Sequence, residues 1–222
     1  MSNELPILVP LSNIVPEHIK ECKLVKKEEL HSTRWLRFVN LHYTVAGEEK
    51  PRQWQSIERT TTKPLPDGKA GIDAVIVFTT IKKTGEEPKL VIIKQFRPPC
   101  NCYCVELVAG LIDPGETPEV AALRELKEET GYIGKITSSS GRSFMSPGLT
   151  GENIVSVFID VDGDDPVNEK PVQAAEDSGM ITKELVPLRG LYDQLKKLEG
   201  EGYGIWVGLW TYAIALNQLS HA

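Results

Sequence analysis

Between residues 110 and 132 the chain reads Gly-Leu-Ile-Asp-Pro-Gly-Glu-Thr-Pro-Glu-Val-Ala-Ala-Leu-Arg-Glu-Leu-Lys-Glu-Glu-Thr-Gly-Tyr. No other stretch limits the fold so tightly, because both ends of one short helix are written into it. Thr117 is a good N-cap, and Pro118 suits the first helical position, where a missing N–H costs nothing. Glu119 falls in the first turn, where the helix dipole favours negative charge. Gly131 can take the left-handed conformation that ends a helix. The spacing predicts a helix over 118–130. Val120, Leu123 and Leu126 are expected to form its apolar stripe, with Ala121 and Ala122 beside them.

The same helix gathers acids. Glu125 and Glu129 are one turn apart, and Glu128 lies at the adjacent i+3 position, so the three share a face. Like charges at this spacing destabilise a bare helix by roughly 0.2–0.5 kcal/mol per pair. A bound cation reverses that sign. Carboxylate oxygens suit hard ions, so magnesium is expected and manganese is compatible. Magnesium is commonly held by a few carboxylates together with substrate phosphates, which points to a diphosphate ligand. Arg124 can pair with Glu128 at i+4 and reach back to Glu116, orienting the ligands from outside the metal.

An isolated Glu-x-x-Glu-Glu is more often a solvated helix face. Here Gly110, Glu116, Arg124, Glu125, Glu128, Glu129 and Gly131 occupy seven fixed positions. At ordinary residue frequencies a chance match in such a chain is on the order of one in a million. The spacing Gly-x5-Glu-x7-Arg-Glu-aliphatic-x-Glu-Glu-x-Gly resembles the signature box of the Nudix hydrolases. Tyr132 takes the final, usually aliphatic, position. The resemblance implies an α+β chain: an α/β/α sandwich around a mixed sheet. It also implies hydrolysis of a nucleoside diphosphate linked to another group.

The rest of the sequence sets bounds on this reading. A chain of 222 residues can bury a sizeable core in one or two domains. Its formal net charge of −6 argues against a general nucleic-acid or membrane-surface binder. The first residues lack a basic leader and are broken by prolines, and no apolar run approaches membrane-spanning length. A cytoplasmic protein is expected, with a nuclear location also open. Cys100, Cys102 and Cys104 form Cys-x-Cys-x-Cys, not a usual zinc spacing; with Cys22 they are expected to be reduced.

Residues 1–20 read as an extended lead-in. Strands are expected at 22–30, 35–45 and 52–59, with a turn at 47–51, giving a small antiparallel N-terminal sheet. Residues 60–69 read as a polar connector. Core strands are expected at 71–81 and 88–96, a further strand at 103–108, and others at 133–144, 154–162 and 180–186. Residues 163–178 read as a long acidic loop, more often functional than idle. Helices are expected at 188–199 and 205–219. The expected division is 1–62, an N-terminal sheet for dimerisation and base stacking, and 63–222, the hydrolase domain.

The resemblance extends to the ADP-ribose pyrophosphatase branch of the family. It rests on Gln95-Phe-Arg97-Pro-Pro, Tyr103-Cys-Val-Glu106-Leu, Ala109-Gly110, Ser146-Pro-Gly148, and Trp54 followed by Arg59, and it spans roughly residues 25 to 219. In that light Trp35 and Trp54 are candidates to sandwich a purine, against the alternative of ordinary packing in a small sheet. Arg59 and Arg97 are candidates for phosphate contacts, against surface salt bridges. Glu106 is polar in an apolar strand and would serve the metal shell or the substrate, or else face an edge. The resemblance makes the Ala109 carbonyl a metal ligand beside Glu125, Glu128 and Glu129. It places Leu111, Ser146, Gly148 and Leu149 along the pocket. Where dimeric relatives often carry Trp-Glu this chain has Trp54-Gln55, and Gln55 can still bond an adenine edge. The base is expected on the loop after the box, at Glu176 with Asp177 as the alternative; both could equally be solvated loop acids.

The expected activity is magnesium-dependent cleavage of ADP-ribose, or a related ADP-sugar, to AMP and ribose 5-phosphate. A homodimer is expected, because similar enzymes exchange their N-terminal sheets. Two other readings remain: a family member acting on an oxidised nucleotide or a dinucleotide, and a non-catalytic nucleotide-binding module.

Overall fold

The computed structural model describes residues 4, 16, 18–62, 71–174 and 179–219. Two compact units are present, one built from residues 1–73 and 142–154, the other from 74–141 and 155–222. Most of the lead-in falls outside the described residues, as do most of the polar connector and both candidate bases, Glu176 and Asp177.

The first unit holds a three-stranded antiparallel sheet of β1 (Cys22–Ser32), β2 (Leu36–Val45) and β3 (Arg52–Arg59). β2 and β3 pair without a break from Leu36 opposite Arg59 to Tyr43 opposite Arg52. The register between β1 and β2 shifts twice, between Leu24 and Lys26 and between Glu29 and His31. Lys27 is buried and tied to both oxygens of Glu58 at 2.7 and 2.8 Å, and Arg37 Nε donates to the same carboxylate at 3.0 Å. A buried ammonium is tolerated only when paired in this way.

Among the described residues the second unit is a mixed sheet with three α-helices. Its elements begin with β4 (Ala74–Lys82), β5 (Lys89–Arg97), β6 (Cys102–Glu106) and β7 (Val108–Leu111). Helix α1 (Pro118–Thr130) and β8 (Lys135–Ser139) follow. Strand β9 (Ser143–Phe144) belongs to the first unit and pairs with the opening residues of β10 (Asn153–Asp162), which continues into the second. The chain ends with β11 (Ile181–Pro187), α2 (Leu191–Gly200), β12 (Gly204–Ile205) and α3 (Val207–Leu219). Strand order is β12-β6-β5-β4-β10-β8, with β11 also on β5 and β7 also on β4. The β6–β12 pair is parallel, which makes the sheet mixed. This is the sandwich that the box implies, together with the small antiparallel sheet.

The strand expected at 103–108 proves to be two. Glu106 pairs with Ile93 on β5, whereas Val108 pairs with Val77 on β4. The chain changes partner at Leu107, which is fully buried. The sheet forks there, because β4 pairs with β5 only at Thr80 and Ile81 and with β7 from Ala74 to Val77. The strand expected at 133–144 also divides. Ser140 stops it by accepting from Ser156 N through Oγ at 2.9 Å while donating N–H to Ser156 O at 2.8 Å.

Helix α1 has the expected ends and only part of the expected face. Its buried residues are Ala121, Ala122, Leu126, Glu129 and Thr130, while Val120 and Leu123 are 52% and 39% exposed. The inward face is rotated toward the alanines. Their small side chains let the helix lie close to β7 and β4. A separate aromatic contact joins β4, β10 and α3: Phe78 stacks on Phe158 at 4.7 Å and meets Tyr212 edge-on at 5.1 Å.

Candidate active site

The site of the second unit is built from the loop before α1 outward. Thr117 is extended and its hydroxyl accepts from Val120 N at 3.3 Å, capping the helix. In the loop, Asp113 N donates to Glu116 Oε2 at 3.0 Å, and Glu116 N donates to Asp113 O at 3.0 Å. Glu116 is thereby presented to Arg124, whose Nε and Nη2 reach Glu116 Oε1 and Oε2 at 2.8 and 2.9 Å. Nη1 of the same guanidinium donates to Glu125 Oε1 at 2.7 Å and Glu128 Oε2 at 3.0 Å. Nη2 also reaches Leu111 O at 3.0 Å. Both expected partners of Arg124 are found, and two more with them. The guanidinium holds the Glu116 carboxyl below the usual carboxylate range. The same bonds raise the pKa of Arg124 itself.

Gly110 on β7 faces the helix. A β-carbon there would lie 1.9 Å from both Cδ and Oε1 of Glu125, so the glycine is a cradle for that carboxylate. Glu129 is 6% exposed at the base of the same face, and Glu128 is partly exposed. Ala109 lies one residue earlier on β7, opposite Ile76. The donors fit a hard divalent cation in type and in shared face. They are not drawn together for one: among the described residues, no three His, Cys, Asp or Glu side chains stand ready to hold a metal. Arg124 already engages one oxygen each of Glu125 and Glu128, and an arriving cation would compete with the guanidinium for them.

Two further candidates in this unit meet each other. Arg97 Nε donates to Glu106 Oε2 at 2.8 Å across the β5–β6 ladder. Arg97 is thus ion-paired, and Glu106 is largely shielded beside it.

The first unit gathers its own candidates. Trp54 is half-exposed, and its indole Nε1 donates to Gly148 O at 3.2 Å. Ser146 O receives the amides of Leu149 and Thr150, both at 2.9 Å, closing a tight turn. Leu149 O then accepts from Ser56 Oγ at 3.0 Å and Ile57 N at 3.2 Å, which lays the 146–150 loop along β3. Arg59 Nε donates to Glu152 Oε1 at 2.5 Å. No local signal in the sequence marks Glu152, an acid 93 residues from its partner. Trp35 is exposed beneath the Arg34 guanidinium, 4.3 Å from the ring centroid, and Gln55 is exposed on β3.

The cysteines form no disulfide among the described residues; Cys102 and Cys104 hold their sulfurs 3.8 Å apart, and burial pushes the Cys104 thiol up to about 12. Among the described residues no helix is long and apolar enough to cross a membrane.

The NUDIX domain pattern matches residues 72–202. The chain is similar to the ADP-ribose pyrophosphatase of Saccharomyces cerevisiae, with 39% identity over 85% of this chain and 79% of that protein. It is similar to the ADP-sugar pyrophosphatase of Mus musculus, with 37% identity over 88% of each. The putative nudix hydrolase 2 of Caenorhabditis elegans is 41% identical over 74% of this chain and 72% of its own.

Proposed function

The chain belongs to the NUDIX domain family, and on that premise we propose that it hydrolyses ADP-ribose, or a closely related ADP-sugar, at the diphosphate. From ADP-ribose the products are AMP and ribose 5-phosphate. One observation carries the reading: Glu116, Arg124, Glu125 and Glu128 close into a single network beside a glycine that makes room for Glu125. The names of the yeast and mouse relatives support the substrate class.

Nudix hydrolases generally need a divalent metal ion. We assign its ligands to Glu125, Glu128, Glu129 and the Ala109 carbonyl, and the ion to magnesium with manganese as a substitute, on the all-oxygen donor set. When bound, such an ion neutralises charge developing on the phosphate oxygens and acidifies a water. The remaining work falls to the chain. Glu116 and Arg124 hold the ligand face in place. Arg97 and Arg59 serve as phosphate-binding cations, exchanging Glu106 and Glu152 for substrate oxygens. Glu176 takes the proton from the attacking water, with Asp177 as the alternative. Leu111, Ser146, Gly148 and Leu149 line the pocket, and Gln55 bonds the adenine edge.

Trp35 and Trp54 supply base stacking, and we propose that they do so in a homodimer, through residues 1–62. The β2–β3 register supports this. Leu36 lies opposite Arg59 and Leu41 opposite Trp54, so Trp35 and Trp54 stand roughly 20 Å apart along the ladder at ~3.3 Å per residue. Two rings that sandwich a base are about 7 Å apart, two van der Waals contacts of ~3.5 Å. One copy of the sheet is therefore poorly suited to supply both rings to one purine, and two copies can. The proposed location is the cytoplasm or nucleus.

A panel of nucleoside diphosphate derivatives incubated with magnesium, scored by product identity, tests the activity. ADP-ribose should give AMP and ribose 5-phosphate. Preference for an oxidised nucleotide or a dinucleotide, or binding without turnover, would replace this reading. Glu129→Gln should lose most turnover and keep the fold; near-normal rates at saturating magnesium would remove its ligand role. Sedimentation of a fully active monomer would sink the dimer.

A further inference from the structure

The C-terminal end of α1 is tied down through its own carbonyls. Lys127 O accepts from Gly131 N and Glu128 O accepts from Ala174 N, both at 2.8 Å. Thr130 O accepts from Lys183 Nζ. Lys183 reaches in from β11, and its ammonium also donates to Pro171 O at 3.0 Å and stands 5.1 Å from the centre of the Tyr132 ring. Residues 171–174 thus run as a strap across the helix end. Gln173 Nε2 pins the strap to β11 through Ile181 O at 3.1 Å. The approach is close: a β-carbon on Gly131 would sit 2.4 Å from Val172 N.

A helix end with open carbonyls frays, and a cation placed there both satisfies those oxygens and complements the dipole. Lys183 does this from a half-buried position, where two carbonyl acceptors fix its long side chain in one geometry. The turn it secures carries Glu128 and Glu129. Their placement relative to Glu125, one turn earlier, decides whether the three carboxylates can share an ion.

We infer that Lys183 is a positioning residue for the metal ligands: by clamping residues 171–174 to the end of α1 it holds Glu128 and Glu129 in register with Glu125. The inference rests on the metal site proposed above and deepens it. Nothing local in the sequence marks Lys183, which lies 53 residues from Thr130.

The test compares the full-length chain with Lys183→Met and Lys183→Arg. Binding of Mn²⁺ alone, followed by electron paramagnetic resonance, should weaken about tenfold in Lys183→Met, the scale of a lost outer-shell partner, and recover largely in Lys183→Arg. The Ala174 amide should exchange hydrogen at least about tenfold faster in Lys183→Met as the strap opens. The magnesium concentration for half-maximal turnover should rise in step with the Mn²⁺ constant, while the KM for ADP-ribose at saturating magnesium stays put. Should Lys183→Met fail to fold, Lys183→Gln carries the same comparison. A lower melting temperature with unchanged Mn²⁺ affinity of the folded protein would overturn the inference, as would unchanged exchange at Ala174. Neither readout needs a substrate, so both stand if ADP-ribose is not hydrolysed. A wild-type chain that binds no Mn²⁺ would instead remove the metal site itself.

Discussion

Gly110 and Glu125 share one space: a β-carbon on the glycine would lie 1.9 Å from the glutamate's Cδ and Oε1. The atoms in the way are the far end of a flexible side chain, so the chain can yield by swinging the carboxylate aside. Gly110→Ala should therefore keep a melting temperature within a few degrees of wild type and lose turnover by about 10²-fold, the scale expected when a catalytic group is misplaced by an ångström. Thermal melts and kcat measured side by side decide it. A large drop in melting temperature would show that β7 or α1, rather than Glu125, gives way.

Arg124 joins Glu116, Glu125, Glu128 and Leu111 O. Arg124→Ala should cost about 1–3 kcal/mol, since charge-assisted acceptors are left without their donor in a partly shielded site. The effect is pH-dependent. The folded-state pKa of Glu116 is depressed, so its contribution is fully present above the unfolded glutamate value of about 4.3 and fades as pH falls through the lower folded value. Urea melts of wild type and variant should accordingly converge toward pH 3 and stay apart at pH 7. Parallel curves across that range would refute the coupling.

Gly131 ends α1 at a φ of +78°, and a β-carbon there would meet Val172 backbone atoms at 2.4–2.6 Å. Unlike the carboxylate beside Gly110, this obstacle is main chain and cannot swing away. Gly131→Ala should lose at least about 1–2 kcal/mol from the left-handed conformation alone, with the backbone clash added. Chemical denaturation measures it; a loss of no more than about 1–2 kcal/mol would mean that the strap moves freely, and one below about half a kcal/mol would refute the conformational cost as well.

Trp54 donates its indole N–H to Gly148 O and leaves its ring half-exposed. If the ring stacks on a base, Trp54→Phe should raise the KM for ADP-ribose by a few-fold and Trp54→Ala by about 10–100-fold, in line with stacking worth ~1–3 kcal/mol, with kcat less affected. Steady-state kinetics separate the two constants. An unchanged KM would return Trp54 to a packing role.

Much of this was legible locally. Thr117, Pro118 and Gly131 marked the helix ends because caps act over three or four residues. Arg124 could be paired with Glu128 because helical spacing brings i+4 into reach, and with Glu116 because the loop that carries it lies just ahead of the helix, eight residues back. Only part of the apolar stripe expected on α1 is buried: Leu126 turns inward with Ala121 and Ala122, whereas Val120 and Leu123, which fit the same periodicity, stay exposed. The choice went to the alanines because β7 approaches closely there. The strand at 103–108 reads as continuous because Leu107 is as apolar as Val105 and Val108; the fork depends on which partners lie alongside.

By itself, then, the sequence determined the acidic helix, its two ends and the family chemistry, because charge spacing and capping are short-range and survive without knowledge of the rest of the chain. Tertiary structure alone decided that Gly110 cradles Glu125, that Arg97 pairs with Glu106 and Arg59 with Glu152, and that Lys183 closes the helix end. Two of those contacts join elements far apart in the chain, and Gly110 and Arg97 meet their partners only through the strands that carry them, so pairing and packing, rather than local preference, fix them.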